Sequence, residues 1–97
     1  MELALAEAEA AGARGEVPVG AVLIGPAGEV LARDGNRILE LADPTAHAEM
    51  LVLRRAAAGM GTPRLVGCEL WVTLEPCPMC AYAVSLARLR RLYFAAA

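Results

Sequence analysis

Two short runs of the sequence carry side chains that could hold a metal ion. The first contains His47, the only histidine, and the acidic Glu49 two residues later. The second contains Cys77 and Cys80 in a Cys-x-x-Cys arrangement. Zinc binds nitrogen and sulfur ligands tetrahedrally, and a catalytic zinc keeps three protein ligands and one water. The residue types therefore predict one catalytic Zn²⁺ per chain, bound by His47, Cys77 and Cys80.

Glu49 is the acidic side chain that this ligand set leaves over. Two thiolates neutralise the charge of the dication, so they acidify a bound water less than neutral ligands would. A nearby carboxylate is then needed to accept the proton of that water and to pass it on. We therefore expect Glu49 to be the catalytic acid and base, not a ligand.

Prolines indicate that each run lies at a helix start. Pro44 precedes His47, Pro78 follows Cys77, and proline is tolerated in a first helical turn, where its missing N–H costs nothing. The positive end of a helix favours a thiolate. Side chains of a first turn lean toward the N-terminus. Ligands from two helix starts can therefore converge on one ion.

The third cysteine, Cys68, would close the site if it were a fourth ligand. It lies at the start of the predicted strand Glu69–Leu74, whose far end leads to Cys77. Six strand residues rise about 20 Å. We therefore expect Cys68 to be a buried thiol far from the metal, which leaves the fourth zinc position open.

Periodicity and turn residues predict an α/β order for the remaining chain, with a loop over residues 35–44. The side-chain amide of Asn36, at the start of that loop, could hydrogen-bond both a donor and an acceptor of a base. Asparagine is also a common turn residue, however. Gly20 could admit a ligand close to the backbone or serve packing alone. The predicted elements are helices Glu2–Ala13, His47–Ala58 and Pro78–Arg88, and strands Val17–Ile24, Glu29–Asp34, Glu69–Leu74 and Leu92–Ala95.

Composition excludes several classes of protein. The net charge is −2, all nine basic residues are arginines, and there is no polybasic arm, which argues against nonspecific nucleic-acid or DNA binding. There is no cationic leader and no apolar run of about 18 residues, so we expect a cytoplasmic protein without a membrane span. Because 58% of the residues are hydrophobic, we expect another subunit or a missing segment to cover part of the surface.

Beyond these residues, the chain resembles the cytidine deaminase-like zinc deaminases, and most nearly the bacterial tRNA-specific adenosine deaminase branch. This resemblance implies a three-layer α/β/α sandwich with a mixed sheet, formed by a single domain over residues 1–97. It also implies that a C-terminal strand and helix of the relatives are missing. The runs that carry the resemblance are Glu16–Val22, Gly35–Arg37, Asp43–Glu49 and Trp71–Ala81.

The resemblance further implies a homodimer that hydrolyses the wobble adenosine of a tRNA anticodon loop to inosine. In that case Asn36 would hydrogen-bond the base, and the backbone of Ala48 would line the pocket. Tyr82 departs from the glycine usual in the branch, so its ring could alter packing behind the site or at the dimer face. Two alternatives stay open: a deaminase of free guanine, cytosine or a nucleoside, and a non-catalytic zinc-stabilised module.

Overall fold

Four helices and four strands make up residues 1–96, which are the residues that the computed structural model describes. None of the helices in this range is both long and apolar enough to cross a bilayer. In chain order the elements are α1 (Glu2–Ala13), β1 (Gly20–Ile24), β2 (Val30–Gly35), α2 (Ile38–Leu41), α3 (Ala48–Met60), β3 (Glu69–Leu74), α4 (Pro78–Leu86) and β4 (Arg91–Ala96).

The strands form one mixed sheet in the order β2-β1-β3-β4. Strand β1 runs antiparallel to both β2 and β3, with Ala21 opposite Val72, whereas β3 and β4 are parallel. A parallel pair needs a crossover connection, and α4 supplies it. Because β2 and β3 both oppose β1, they run in the same direction and leave the sheet at the same edge.

Helices cover the two faces of the sheet, as expected for three layers. Ala21 and Leu23 of β1 belong to the same buried cluster as Val52 of α3 and Ala87, which follows α4. Successive strand residues point to opposite faces. The alternate residue Gly20 accordingly faces α1, which packs on the other side. The predicted α/β/α architecture with a mixed sheet is confirmed.

Helix α1 lies unusually close to β1 and β2 because small residues meet there. Its buried side chains are all alanines, Ala4, Ala8 and Ala11. A Cβ added at Gly20 would collide with the backbone oxygen of Ala4, and one at Gly35 would lie 2.8 Å from the Cβ of Ala11. Gly20 therefore serves helix packing rather than the approach of a ligand.

The observed secondary structure differs from the predicted elements at α2 and at the end of α4. The loop expected over residues 35–44 contains α2. The carboxylate of Glu16 accepts hydrogen bonds from the N–H groups of Leu39 and Glu40, at 3.1 and 2.9 Å, and so satisfies the first turn of that helix. Helix α4 ends at Leu86, before the predicted end, and Arg88 adopts a left-handed conformation with φ of +61°.

Replacing Gly20 with alanine should destabilise the fold by about 2–3 kcal/mol, because the added methyl group overpacks a backbone contact between β1 and α1. The matched control is Gly59→Ala in the exposed last turn of α3, where an added Cβ meets nothing within 4 Å. This control should gain roughly 0.5–1 kcal/mol from helix propensity. Urea unfolding of both variants measures the difference, and equal effects would contradict the close approach.

Candidate functional site

The two runs that contain the predicted metal ligands lie at helix starts, as the prolines indicated. His47 is the residue before α3 and Cys77 the residue before α4, and both have extended backbones. Cys80 follows in the first turn of α4. One ligand atom from each of these three residues lies within 4.8 Å of the others, so together they form a potential metal site.

The distances between these atoms fit a tetrahedral ion. His47 Nδ1 lies 3.7 Å from Cys77 Sγ and 3.5 Å from Cys80 Sγ. Zinc bonds of about 2.0–2.1 Å to nitrogen and about 2.3 Å to sulfur, at tetrahedral angles, place the two donor atoms about 3.6 Å apart. The third cysteine, Cys68, is fully buried at the start of β3 and does not join the group, as predicted.

The electrostatics around Cys80 also fit a bound cation. Burial, and then the charge of Glu49, raise the pKa of the Cys80 thiol. A buried thiol beside a carboxylate therefore stays protonated unless a positive charge compensates it. A zinc ion supplies that charge and binds the thiolate, so the donor set and its surroundings are compatible with the metal.

Glu49 lies in the first turn of α3, only 4% exposed. Its Oε1 atom is buried and has no hydrogen-bond partner in the described residues. A buried carboxylate oxygen without a partner is costly, and such atoms in folded proteins call for an explanation. A water or a substrate group in the adjoining cavity would satisfy this oxygen.

A cavity of about 230 Å³ opens beside these groups. Its polar side chains lie among apolar walls, which is the usual composition of a small-molecule site. The residues that line it are Val17, Val19, Asn36, Ile38, His47, Glu49, Leu74, Glu75 and Cys77.

Asn36 joins the end of β2 to the start of α3. Its side-chain oxygen accepts a 2.8 Å hydrogen bond from the backbone N–H of Ala48, which is fully buried. Its backbone N–H donates to the Val19 carbonyl, and its carbonyl accepts from Arg14 Nη2 at 3.2 Å. The bond to Ala48 fixes the orientation of the amide, so the NH₂ group is left to donate within the cavity.

Sequence reasoning missed the charged residues that surround Asn36. Asp34 at the end of β2 is 2% exposed, and it accepts hydrogen bonds from Arg37 and from Arg55 of α3. Burial tends to raise the pKa of Asp34, but hydrogen bonds from the Gly35 N–H and from both arginines outweigh burial and hold that pKa below its usual range. The acidic Asp34 beside Arg33, near the end of a predicted strand, was the available signal.

Fold and site together define a zinc-binding deaminase domain. The family model for the cytidine and deoxycytidylate deaminase zinc-binding region matches residues 1–96. The chain belongs to this family, and the prediction of zinc as its cofactor is confirmed.

Among individual proteins, the chain is similar to tRNA adenosine deaminases and to a guanine deaminase. The tRNA-specific adenosine deaminase of Agrobacterium fabrum is 60% identical over 96 residues, which are 99% of this chain and 62% of that protein. A solved structure from a study of A-to-I editing by tRNA:A34 deaminases matches with a TM-score of 0.96 at 60% identity, over 99% of this chain and 69% of that one. Guanine deaminase from Bacillus subtilis matches with a TM-score of 0.93 at 35% identity, over 98% and 60%. The chain thus spans less than two thirds of the Agrobacterium protein.

Replacing Cys77 with alanine should reduce bound zinc from one equivalent to near zero after dialysis, because it removes one of three protein ligands. The matched control is Cys68→Ala, which removes a buried thiol outside the ligand group and should retain one equivalent. Elemental analysis of the purified variants measures both. Loss of zinc from the Cys68 variant alone would contradict the assignment of the ligands.

Proposed function

We propose that the protein is a zinc-dependent hydrolytic deaminase that converts adenosine to inosine at the wobble position of tRNA. The observation that carries this proposal is the unpaired, buried Glu49 oxygen at a cavity shared with His47 and Cys77. It is the arrangement expected of a proton carrier beside a metal. The 60% identity to a tRNA-specific adenosine deaminase supports the choice of substrate.

His47, Cys77 and Cys80 would bind the zinc, and Glu49 would carry the protons. Bound zinc supplies a Lewis acid that makes water nucleophilic at neutral pH. Glu49 would take one proton from the attacking water and deliver it to the ring nitrogen. It would then take the second proton of that water from the hydroxyl newly bonded to C6 and deliver it to the amine, whose bond to C6 breaks. Water and adenosine are consumed, and inosine and ammonia are released. The burial of Glu49 keeps this transfer away from bulk solvent.

Asn36 and the apolar walls would hold the base. The NH₂ group of Asn36 donates to an acceptor on the edge of the base, because its oxygen is already bonded to Ala48. Ala48 is fully buried and is not among the residues that line the cavity, so the predicted lining by its backbone is replaced by an indirect role, in which its N–H holds the Asn36 side chain. Val19 and Ile38 present apolar surface to the cavity, which suits the faces of a planar ring.

A tRNA anticodon loop suits this site because its bases are already unpaired, so little energy is needed to extrude one. The chain has no polybasic arm, and recognition of the loop would rest on shape and stacking.

We place the protein in the cytoplasm, and we assign residues 1–97 to one deaminase domain. A homodimer is favoured by the exposed apolar side chains of Tyr82 and Leu86 on α4, which are 67% and 60% exposed. This exposure also puts the Tyr82 ring on the outer face of α4.

A free-base deaminase is the second candidate, because guanine deaminase shares the fold at 35% identity. A single experiment separates the two: the protein is incubated with a tRNA anticodon stem-loop carrying a wobble adenosine and, in parallel, with free guanine and free cytosine. We expect inosine in the stem-loop and no ammonia from the free bases. Ammonia from guanine or cytosine alone would replace the proposal with this candidate.

Replacing Glu49 with glutamine should leave zinc bound but lower turnover by about 10²–10⁴-fold, because glutamine cannot carry a proton. The exposed α1 residue Glu9 provides the control, and Glu9→Gln should leave turnover unchanged. Zinc content and steady-state rates of both variants measure the effect. Full turnover by the Glu49 variant would rule out the proton-carrier role, and release of ammonia from no base at all would favour a non-catalytic zinc module.

A further inference from the structure

Asp34 is an acidic side chain buried at the carboxyl end of β2, directly before the residues that reach the cavity. It is 2% exposed, and its strand neighbour is Ala21 of β1. A carboxylate in such surroundings is costly unless each oxygen is hydrogen-bonded. The position of its partners therefore indicates what this charge holds in place.

The first oxygen of Asp34 binds the chain on both sides of Asn36. Oδ1 accepts a 2.8 Å hydrogen bond from the N–H of Gly35 and another 2.8 Å hydrogen bond from Nε of Arg37. Asn36 is the residue between these two donors. One carboxylate oxygen thus binds the backbone of the residue before Asn36, which is assigned to base binding, and the side chain of the residue after it.

The second oxygen of Asp34 reaches the helix that Asn36 caps. Oδ2 accepts a 2.6 Å hydrogen bond from Arg55 Nη2, and Nη1 of the same arginine donates to the Arg33 carbonyl at 3.0 Å. Arg55 belongs to α3, whose first residue, Ala48, donates its N–H to the Asn36 side chain. These hydrogen bonds link Asp34 to α3 through Arg55, and they link α3 to Asn36 through Ala48. The Gly35 N–H, next to Asn36, connects this segment back to Asp34.

We infer that Asp34 is a positioning residue, which acts through Gly35, Arg37 and Arg55 to hold the Asn36 amide toward the cavity. This inference rests on the proposed role of Asn36 in binding the base. Asp34 does not line the cavity, so its effect on a substrate is indirect. Without its charge, α3 and the Asn36 segment lose their shared anchor, and the bond from Ala48 to Asn36 opens more often.

Exchange of the Ala48 amide proton measures that bond directly and needs no substrate. The first N–H groups of a helix have no partner within the helix, so the bond to Asn36 is the hydrogen bond that protects the buried Ala48 amide. We expect exchange to accelerate about tenfold or more in Asp34→Asn, while amides of β1 change less. Arg55→Gln should accelerate it in the same direction. This variant alters a half-exposed side chain, so it tests the inference even where Asp34→Asn folds poorly.

The matched control breaks a different ion pair of the same strand. Arg33 Nε bonds Glu7 Oε2 at 2.6 Å, which ties β2 to α1 on the opposite face of the sheet. Glu7→Gln should leave the exchange of Ala48 unchanged. Ala48 exchange at the wild-type rate in both Asp34→Asn and Arg55→Gln would overturn the inference, whatever the protein does catalytically.

A double-mutant cycle then tests whether Asp34 acts through Asn36. We expect Asp34→Asn to lower kcat/KM about 10-fold in the wild-type background and less than about 2-fold in the Asn36→Ala background, because substitutions within one hydrogen-bond network are not additive. Equal losses in both backgrounds would overturn the inference by showing a general structural effect. Absence of turnover in the wild-type protein would instead defeat the proposed function, and the exchange rates would still decide the role of Asp34.

Discussion

The site depends on the direction of three strands. Because β1 is antiparallel to both β2 and β3, these two strands leave the sheet at one edge. The chain then runs from β2 through α2 to the start of α3, and from β3 to the start of α4, where the residues of the potential metal site lie. His47 and Cys77 then stand before the first turns of α3 and α4, with ligand atoms 3.7 Å apart. The helix starts thus account for the geometry of the site, whereas burial and the charge of Glu49 raise the pKa of Cys80, so its thiolate requires the charge of a bound cation.

Around that edge, buried carboxylates hold the backbone that frames the cavity. Glu16 binds the first turn of α2, and Asp34 binds the segments on both sides of Asn36. Each of these charges has hydrogen bonds that offset its burial, whereas one oxygen of Glu49 has no hydrogen-bond partner among residues 1–96. Glu16 and Asp34 therefore hold the backbone around the site, whereas Glu49 has an oxygen that can accept a hydrogen bond from a group in the cavity.

Local sequence patterns were sufficient to predict the group of His47, Cys77 and Cys80 and much of the fold. The spacing of His47, Cys77 and Cys80 predicted the group that the structure brings together, and the predicted limits of α1 and β3 are those observed. Helix α2 and the contact between Asp34 and Arg55 could not be predicted. Each depends on a side chain more than 20 residues away along the chain, and such contacts have no local signature.

A single ion should join the starts of α3 and α4 with one coordination position open to water. Zinc-edge X-ray absorption of the purified protein tests it most directly. We predict one nitrogen at about 2.0 Å, two sulfurs at about 2.3 Å and one further light-atom ligand. A shell containing three sulfurs would place Cys68 on the metal and close the site, and that result would contradict the account.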